Sequence, residues 1–311
     1  MTTAPADVGN RPRLMVPVLR RLDGEIQVGS TPGTAQLIRG ASEALPIALH
    51  RLDGSRTIAE VARGTGIDRS ELEAILDRLC AAGLLDPAAP GRRPARPTVR
   101  LLGAGEFGLR FAEKIVPTGA AALRLVDPEP PVEGLYDHPE ATGAESLRTR
   151  LRLATPVPHG LLRLGEHWSQ PGHGASLTVV ALERIECDRA ITDTLLREDQ
   201  PHLFLRPSER GVVVGPLVVP GATACTRCMD LSRCSDPQWP RLLNQLCRTR
   251  ARVASPLLDW AAMTAMQQVL AHLAGQHPES LGSTIELESD SWQPRIRRWP
   301  AHPECGCQLL A

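Results

Sequence analysis

Two close cysteine pairs lie far apart in the chain: PGATACTRCMDL carries Cys225 and Cys228, and HPECGC, near the other end, carries Cys305 and Cys307. If the pairs meet, the last stretch of chain must return to a loop near residue 225. The four thiols then supply the soft donors of a closed tetrahedral zinc site, at about 2.3 Å per Zn–S bond. A site filled by four protein ligands has no open position for a substrate, so its role is structural. Cys-Gly-Cys is tighter than the usual spacing. His302 is an alternative ligand, although an exposed turn histidine is the plainer reading. Redox use of CTRC is the competing reading, weakened because the pair does not read as opening the helix of a thioredoxin-like βαβ unit. Cys80, Cys187, Cys234 and Cys247 stand alone in sequence, with Cys234 near enough to serve as a spare ligand. The opening MTTAPADVGNRPRL has no apolar core of an export signal, and no apolar run reaches the ~18 residues of a membrane span. A cytoplasmic protein with no membrane partner is expected, and in that reducing compartment close thiol pairs point to metal rather than disulfides.

The chain has 311 residues, enough for about two domains, and its 35 basic and 35 acidic residues balance, so no global field attracts nucleic acid or an anionic membrane. Residues 1–88 read as the first unit. LMVPVLRRL, EIQVG and TAQLIRG are strand-like runs broken by Asp-Gly and Thr-Pro-Gly turns. Three helices follow: ASEALPIALHRL, a second opening at Thr57 with Glu60 three residues on, and a third opening at Asp68 with Glu71 three residues on, both in capping-box spacing. Leu72, Ile75, Leu76 and Leu79 give the third helix one apolar face. Strands with three short helices describe a winged helix-turn-helix. DNA reading is disfavoured because Asp68, Glu71, Glu73 and Asp77 outnumber Arg69 and Arg78 on the helix that would face phosphates. The Pro-rich stretch at 89–97 is an interdomain linker.

Residues 98–311 form the second unit. TVRLLGAGEFG runs a buried strand into Gly103, Gly105 and Gly108, followed by the helical LRFAEKIV and a second strand ending at Asp127, the order of a nucleotide-binding βαβ. The pattern fits a Rossmann-like α/β fold better than an occupied nucleotide site. Glu106 puts a carboxylate in the loop where a helix N-terminus would attract an anion, and no lysine or arginine follows Asp127 until Arg148. A turn kept for packing is the favoured reading. SLTVVALE and PHLFLRP read as further strands of a mainly parallel sheet, with DRAITDTLLRED as the crossover helix. GVVVGPLVVPG contains two β-rich runs, and STIELES with PRIRRWP forms a closing hairpin. DWAAMTAMQQVLAHLAG reads as a helix burying Met263, Met266, Val269, Leu270 and Leu273. His159, His167, His173 and His202 have no spacing that assigns roles, and no catalytic residue is identified.

Taken together, the small front unit, the glycine turn, GPLVVPGATACTRCMDL followed by DPQWPRLLNQL, and the terminal HPECGC resemble the ThiF-like cyclodehydratase component of thiazole/oxazole-modified peptide biosynthesis. Members of that family are also described as leader-peptide-binding proteins. The resemblance runs from Arg11 to Cys307 and implies a PqqD-like RiPP recognition element in front, where a precursor's leader adds a strand to a sheet edge. Carried onto this sequence, the edge is Gln36, Leu37, Ile38 and Arg39, and the facing helix presents Leu72, Ile75, Leu76 and Leu79. It further implies a unit like the ubiquitin-activating and ThiF enzymes, with Cys225, Cys228, Cys305 and Cys307 as structural zinc ligands and with homodimers common. The chain departs from active adenylating enzymes beyond Asp127: PEPPVEGLYDHPEA stands where they carry an Asn-Leu-x-Arg-Gln-like segment, which puts ATP use in doubt. The resemblance therefore implies a chain that delivers a leader-bound precursor to a separate, ATP-using YcaO-type cyclodehydratase. The alternatives are a ThiF-type enzyme that adenylates a peptide or carrier-protein carboxylate, and a DNA-binding regulator with a ligand-sensing domain.

Overall fold

The computed structural model describes residues 11–21, 24–86, 96–155, 157, 160–169 and 174–308. Most of the expected linker, and His159 and His173, lie outside the described residues. The chain divides into two compact units, Met1–Ala95 and Arg96–Ala311.

In the first unit, the run expected as one strand is split into β1 (Arg13–Leu14) and β2 (Val18–Arg20). Pro17 explains the break, because it lacks an N–H and restricts the residue before it. β3 (Ile26–Val28) and β4 (Gln36–Ile38) complete an antiparallel sheet in the order β2-β3-β4. Then come α1 (Ala44–His50), α2 (Ile58–Thr65) and α3 (Arg69–Ala81). β5 (Leu85–Asp86) pairs back onto β1. α2 starts with a complete capping box between Thr57 and Glu60. At α3 the Asp68 carboxylate accepts from the Ser70 and Glu71 amides, while Glu71 turns instead toward the Ser42 N–H, 3.4 Å away. Leu72, Ile75, Leu76 and Leu79 are buried against Leu45, Leu49, Val61, Ile26, Val28 and Ile38. Burying side chains of this size stabilises by about 1.5–3 kcal/mol each.

The second unit is built on an eight-stranded sheet. Its elements in chain order are β6 (Thr98–Leu102), α4 (Glu106–Ile115), β7 (Ala122–Val126), α5 (Gly143–Ala154), β8 (Leu162–Leu164), β9 (Leu177–Ala181), α6 (Arg189–Arg197), β10 (His202–Pro207), β11 (Gly211–Val218), α7 (Thr226–Arg233), α8 (Trp239–Leu246), α9 (Ser255–Leu273), β12 (Ser283–Glu288) and β13 (Arg295–Arg298). Strand order is β13-β12-β11-β10-β9-β6-β7-β8. β10, β9, β6, β7 and β8 are parallel, and β11 to β13 run antiparallel beyond β10. The parallel half is Rossmann-like. Side chains alternate between two faces, as strands require. Val99, Leu101, Leu123, Leu125 and Val179 join α4, α5 and α9 in the larger core. Leu102, Val126, Val180 and Phe204 join α6, α7 and three of the paired cysteines in a smaller one.

Helix α9 buries Val269 as expected, but its most buried stripe is otherwise different from the one expected. Leu258, Ala261, Ala262, Ala265 and Val269 are buried, Met266, Leu270 and Leu273 are half-buried, and Met263 is 48% exposed. The small Ala261 and Ala265 share the core with Phe107 and Phe111 of α4. Among the described residues, no helix is long and apolar enough to cross a membrane.

Candidate functional site

The cysteine pairs meet at the start of α7. β11 leads through Val219–Ala224 to Cys225, the N-cap of α7, and Cys228 lies one turn further on. Beyond β13, a tight turn in which the Cys305 N–H donates to the His302 carbonyl at 2.9 Å brings the chain's end alongside. The sulfur separations are 4.0 Å for Cys225–Cys228, 3.6 Å for Cys225–Cys305 and 3.5 Å for Cys228–Cys307. All four donor atoms lie within 4.8 Å of one another. Four sulfurs about 2.3 Å from a central ion stand about 3.8 Å apart at the corners of a tetrahedron, whereas a disulfide needs about 2.05 Å. The donor set therefore fits a thiolate-bound metal. Burial pushes the Cys225 thiol well up and the Cys307 thiol to about 11, each further affected by its sulfur neighbours. His302 is not among the clustered donors, and its ring Nδ1 accepts the Glu304 N–H at 3.2 Å instead. Cys234 is exposed and outside the cluster. Cys225 caps α7, so CTRC does open a helix, though not one of a thioredoxin-like βαβ unit. Helix α7 follows an antiparallel strand, not a βαβ crossover, and the four-sulfur grouping argues against a two-thiol redox pair.

An ion network stands beside this cluster. Glu186 is buried against Arg233 Nη1 (2.9 Å), Arg189 Nη2 (3.2 Å) and Arg206 Nη2 (3.5 Å). Arg189 also forms a bidentate pair with Asp230 at 2.7 and 2.8 Å. Burial opposes the Glu186 charge, but the guanidiniums of Arg206, Arg189 and Arg233 outweigh it and hold its carboxyl below the usual range.

The glycine turn has the Rossmann shape but is filled by the protein's own carboxylates. Gly103 takes φ +99°, and a Cβ there would lie 1.9 Å from the Ala181 carbonyl oxygen, so only glycine fits. A Cβ on Gly108 would lie 2.1 Å from the Gly103 carbonyl oxygen. At the N-terminus of α4 the Phe107 N–H donates to Glu183 Oε1 at 3.1 Å, and a Cβ on Gly105 would stand 2.3 Å from that same oxygen. Asp127 Oδ2 accepts the Ala104 N–H at 2.7 Å, and the buried Tyr136 hydroxyl donates to the Ala104 carbonyl. Burial raises the pKa of both carboxylates; Glu106 adds to the effect at Glu183 and Glu129 at Asp127. The exposed Arg250 opposes the rise at both. It sits on the 249–251 segment, which hydrogen-bonds along Glu183 and Ile185. Glu106, expected to repel an anion here, is the first residue of α4, but the carboxylate in contact with the turn is Glu183. The sequence reading missed Glu183, which comes from the end of a different strand.

In the first unit, β4 forms one edge of the three-stranded sheet, and among the described residues no strand pairs with its outer side. Arg78 Nη2 stands 3.4 Å from the Leu37 carbonyl oxygen, so Leu37 turns its backbone polar groups outward, while Gln36 and Ile38 face their register partners Val28 and Ile26. Arg39, just past β4, is exposed and ion-paired with Glu25. Leu72, Ile75, Leu76 and Leu79 are packed into the unit's own core together with Ile38 of β4. The α3 residues that reach toward the β4 side are Arg78 and, near Ser42, Glu71. His202 is a core residue at 0% exposure with its Nδ1 2.9 Å from the Gln200 carbonyl oxygen, and His167 is an exposed loop residue.

No protein-family model matches this chain, and no curated protein matches it by sequence. Solved structures do share its fold. E. coli MccB in complex with MccA matches with a TM-score of 0.62 at 16% identity, over 96% of this chain and 99% of that one. E. coli MccB with ATP matches with a TM-score of 0.62 at 17% identity, over 95% and 99% of the two chains. PaaA matches with a TM-score of 0.60 at 15% identity, over 91% and 98%.

Proposed function

We propose that this chain is the precursor-binding component of a ribosomal-peptide modification system. Its front unit takes a leader peptide as an added strand along Gln36–Arg39. Its back unit, a ThiF-like scaffold clipped by structural zinc on Cys225, Cys228, Cys305 and Cys307, presents the core peptide to a separate YcaO-type cyclodehydratase. The observation that carries this reading is the closed glycine turn. Glu183 accepts the Phe107 N–H that a phosphate would use, and Asp127 accepts the Ala104 N–H beside it. A triphosphate would have to displace one carboxylate and sit beside another. The open β4 edge supports the peptide role, because edge strands pair readily with an added strand. Holding the leader raises the effective concentration of the core to roughly the mM range without any catalytic group on the holder.

An adenylating enzyme of the ThiF type is the second reading, and the fold comparison favours it. The matched MccB structures include one with ATP and one with MccA. In this reading Glu183 leaves the turn when nucleotide arrives.

The test is fluorescence polarisation of labelled leader peptides, taken from short precursors encoded next to this gene, against the full chain, with ATP–pyrophosphate exchange measured in parallel. Leader binding, more than about tenfold weaker in Leu37→Pro, is expected; proline removes the outward N–H yet is tolerated on an edge. No exchange is expected. Exchange would move the assignment to the adenylating enzyme, and failure of every leader to bind would overturn the peptide role.

A further inference from the structure

One register row of the second unit's sheet is polar across all five parallel strands. Arg163 of β8 pairs in register with Arg124 of β7, Arg124 with Arg100 of β6, Arg100 with Thr178 of β9, and Thr178 with His202 of β10. The positions flanking Arg100 and Arg124 are Val99, Leu101, Leu123 and Leu125, as expected for a sheet covered on both sides. Three arginines side by side on strands about 4.8 Å apart need a cause, because like charges directly opposite one another destabilise a sheet.

The outer end of the row opens into a hollow of about 250 Å³ lined by Arg100, Arg124, Arg163, Glu166 and His167, with Val126, Leu164 and Gly165 completing the wall. Arg100 is 2% exposed. Its Nε donates to Thr178 Oγ1 at 3.1 Å and its Nη2 lies 3.8 Å from Glu198 Oε2, so the guanidinium is held in place from behind. Gly165 lets the chain pass close against Arg124, since a Cβ there would lie 2.6 Å from Val126 Cγ2 and 3.3 Å from Arg124 Cγ. Among the described residues, Glu198 stands behind Arg100 and the exposed Glu166 lines the mouth. Burial lowers the Arg100 pKa and Arg124 lowers it further, even with Glu198 opposing.

We propose that Arg163, Arg124 and Arg100 form a seat for a small, multiply charged oxyanion of the phosphate class. Planar guanidiniums suit the paired oxygens of such a group. The hollow is below the roughly 300–1,000 Å³ usual for drug-sized ligands, so it takes a phosphoryl group and not a whole nucleotide. The seat lies on the strands themselves, apart from the glycine turn at their C-terminal ends, and it stands whether or not leader peptides bind to β4.

The experiment is isothermal titration of the full chain with inorganic phosphate and with pyrophosphate in low-salt buffer. The wild type binds, pyrophosphate more tightly. Arg163→Gln and Arg124→Gln each weaken binding at least about tenfold, the scale of one charge-assisted hydrogen bond, and Arg163→Lys retains part of it. Arg163 is exposed, so its variants fold and decide the matter if Arg124→Gln does not. No binding by the wild type, or binding undiminished in Arg163→Gln, overturns the proposal. ATP that displaces pyrophosphate from this seat identifies a nucleotide's phosphoryl tail as the natural source; otherwise the source is the free anion.

Discussion

Removing one sulfur from the four-cysteine cluster should strongly destabilise the second unit. Cys225 and Cys305 are 80 residues apart, and Cys228 and Cys307 are 79 apart, so a metal held between them closes a long loop in the unfolded chain. The loop-entropy relation for a cross-link of about 80 residues gives about 4.5 kcal/mol. For a unit of roughly 200 residues that is about 10–18 °C in Tm. Cys305→Ser adds to this by leaving a polar hydroxyl in a site that is 6% exposed. The measurement pairs zinc content by mass spectrometry with thermal unfolding, for the wild type, for Cys305→Ser and for chelator-treated protein. One zinc per chain is expected in the wild type, with both perturbed samples melting in that lower range. Zinc should also be released progressively as pH falls, because binding must expel protons from thiols that burial makes reluctant to ionise. A wild type without metal, or a Cys305→Ser variant that melts with the wild type, would refute the cross-link reasoning.

Burial lowers the pKa of His202 to about 4, below the ordinary value of about 6.5. The folded state keeps this histidine neutral, so its contribution is whole above pH 6.5 and is lost as pH falls toward 4, by roughly 3 kcal/mol; urea midpoints should show the slope, and His202→Gln should flatten it. Glu186→Gln leaves three guanidiniums without their shared counter-charge and should cost about 3–5 kcal/mol. The folded pKa of Glu186 is depressed, so its contribution is present above the unfolded carboxyl's range and disappears as pH falls through the folded value, a loss the variant should lack in acid titrations. Gly105→Ala should destabilise by about 1–3 kcal/mol through overpacking against Glu183 but be nearly neutral in a Glu183→Ala background, because Gly105 has φ −76° and no backbone strain of its own. Additive losses in that cycle would contradict the packing account.

What the sequence made legible was local. The capping box at Thr57, the Asp68 cap on α3, and the strand, glycine turn and helix at 98–115 follow from short-range rules and are found in place. α5 and β8 went unseen, although Thr142 and Glu145 carry the same capping-box spacing as Thr57 and Glu60. The polar stretch before α5 and the exposure of β8 hid their periodicity. Met263 was misplaced because an apolar side chain was weighed above the small alanines that let α9 approach α4. Glu183 and the arginine row could not have been found by spacing. Each depends on which strands become neighbours, and β9 enters the sheet beside β6 only after two intervening strands and two helices have gone by.

The same non-local contacts explain why the glycines of a nucleotide-type turn are required here whatever occupies the helix N-terminus. Gly103 is needed because its φ is positive and the Ala181 carbonyl oxygen occupies the place of a side chain, and Gly108 because the Gly103 carbonyl crosses it. Both constraints come from packing β6 against β9 and α4 against the turn, and they persist whatever occupies the helix N-terminus. Gly105 alone faces that position, and here its neighbour is Glu183. The free Phe107 N–H still calls for an acceptor, because the first amides of a helix have no partner within it. A carboxylate from the next strand provides one and also places negative charge at the positive end of α4. Fold likeness to a matched structure with ATP and a Glu183 carboxylate at the turn are therefore compatible, since the glycines report the packing of the turn and not its occupant.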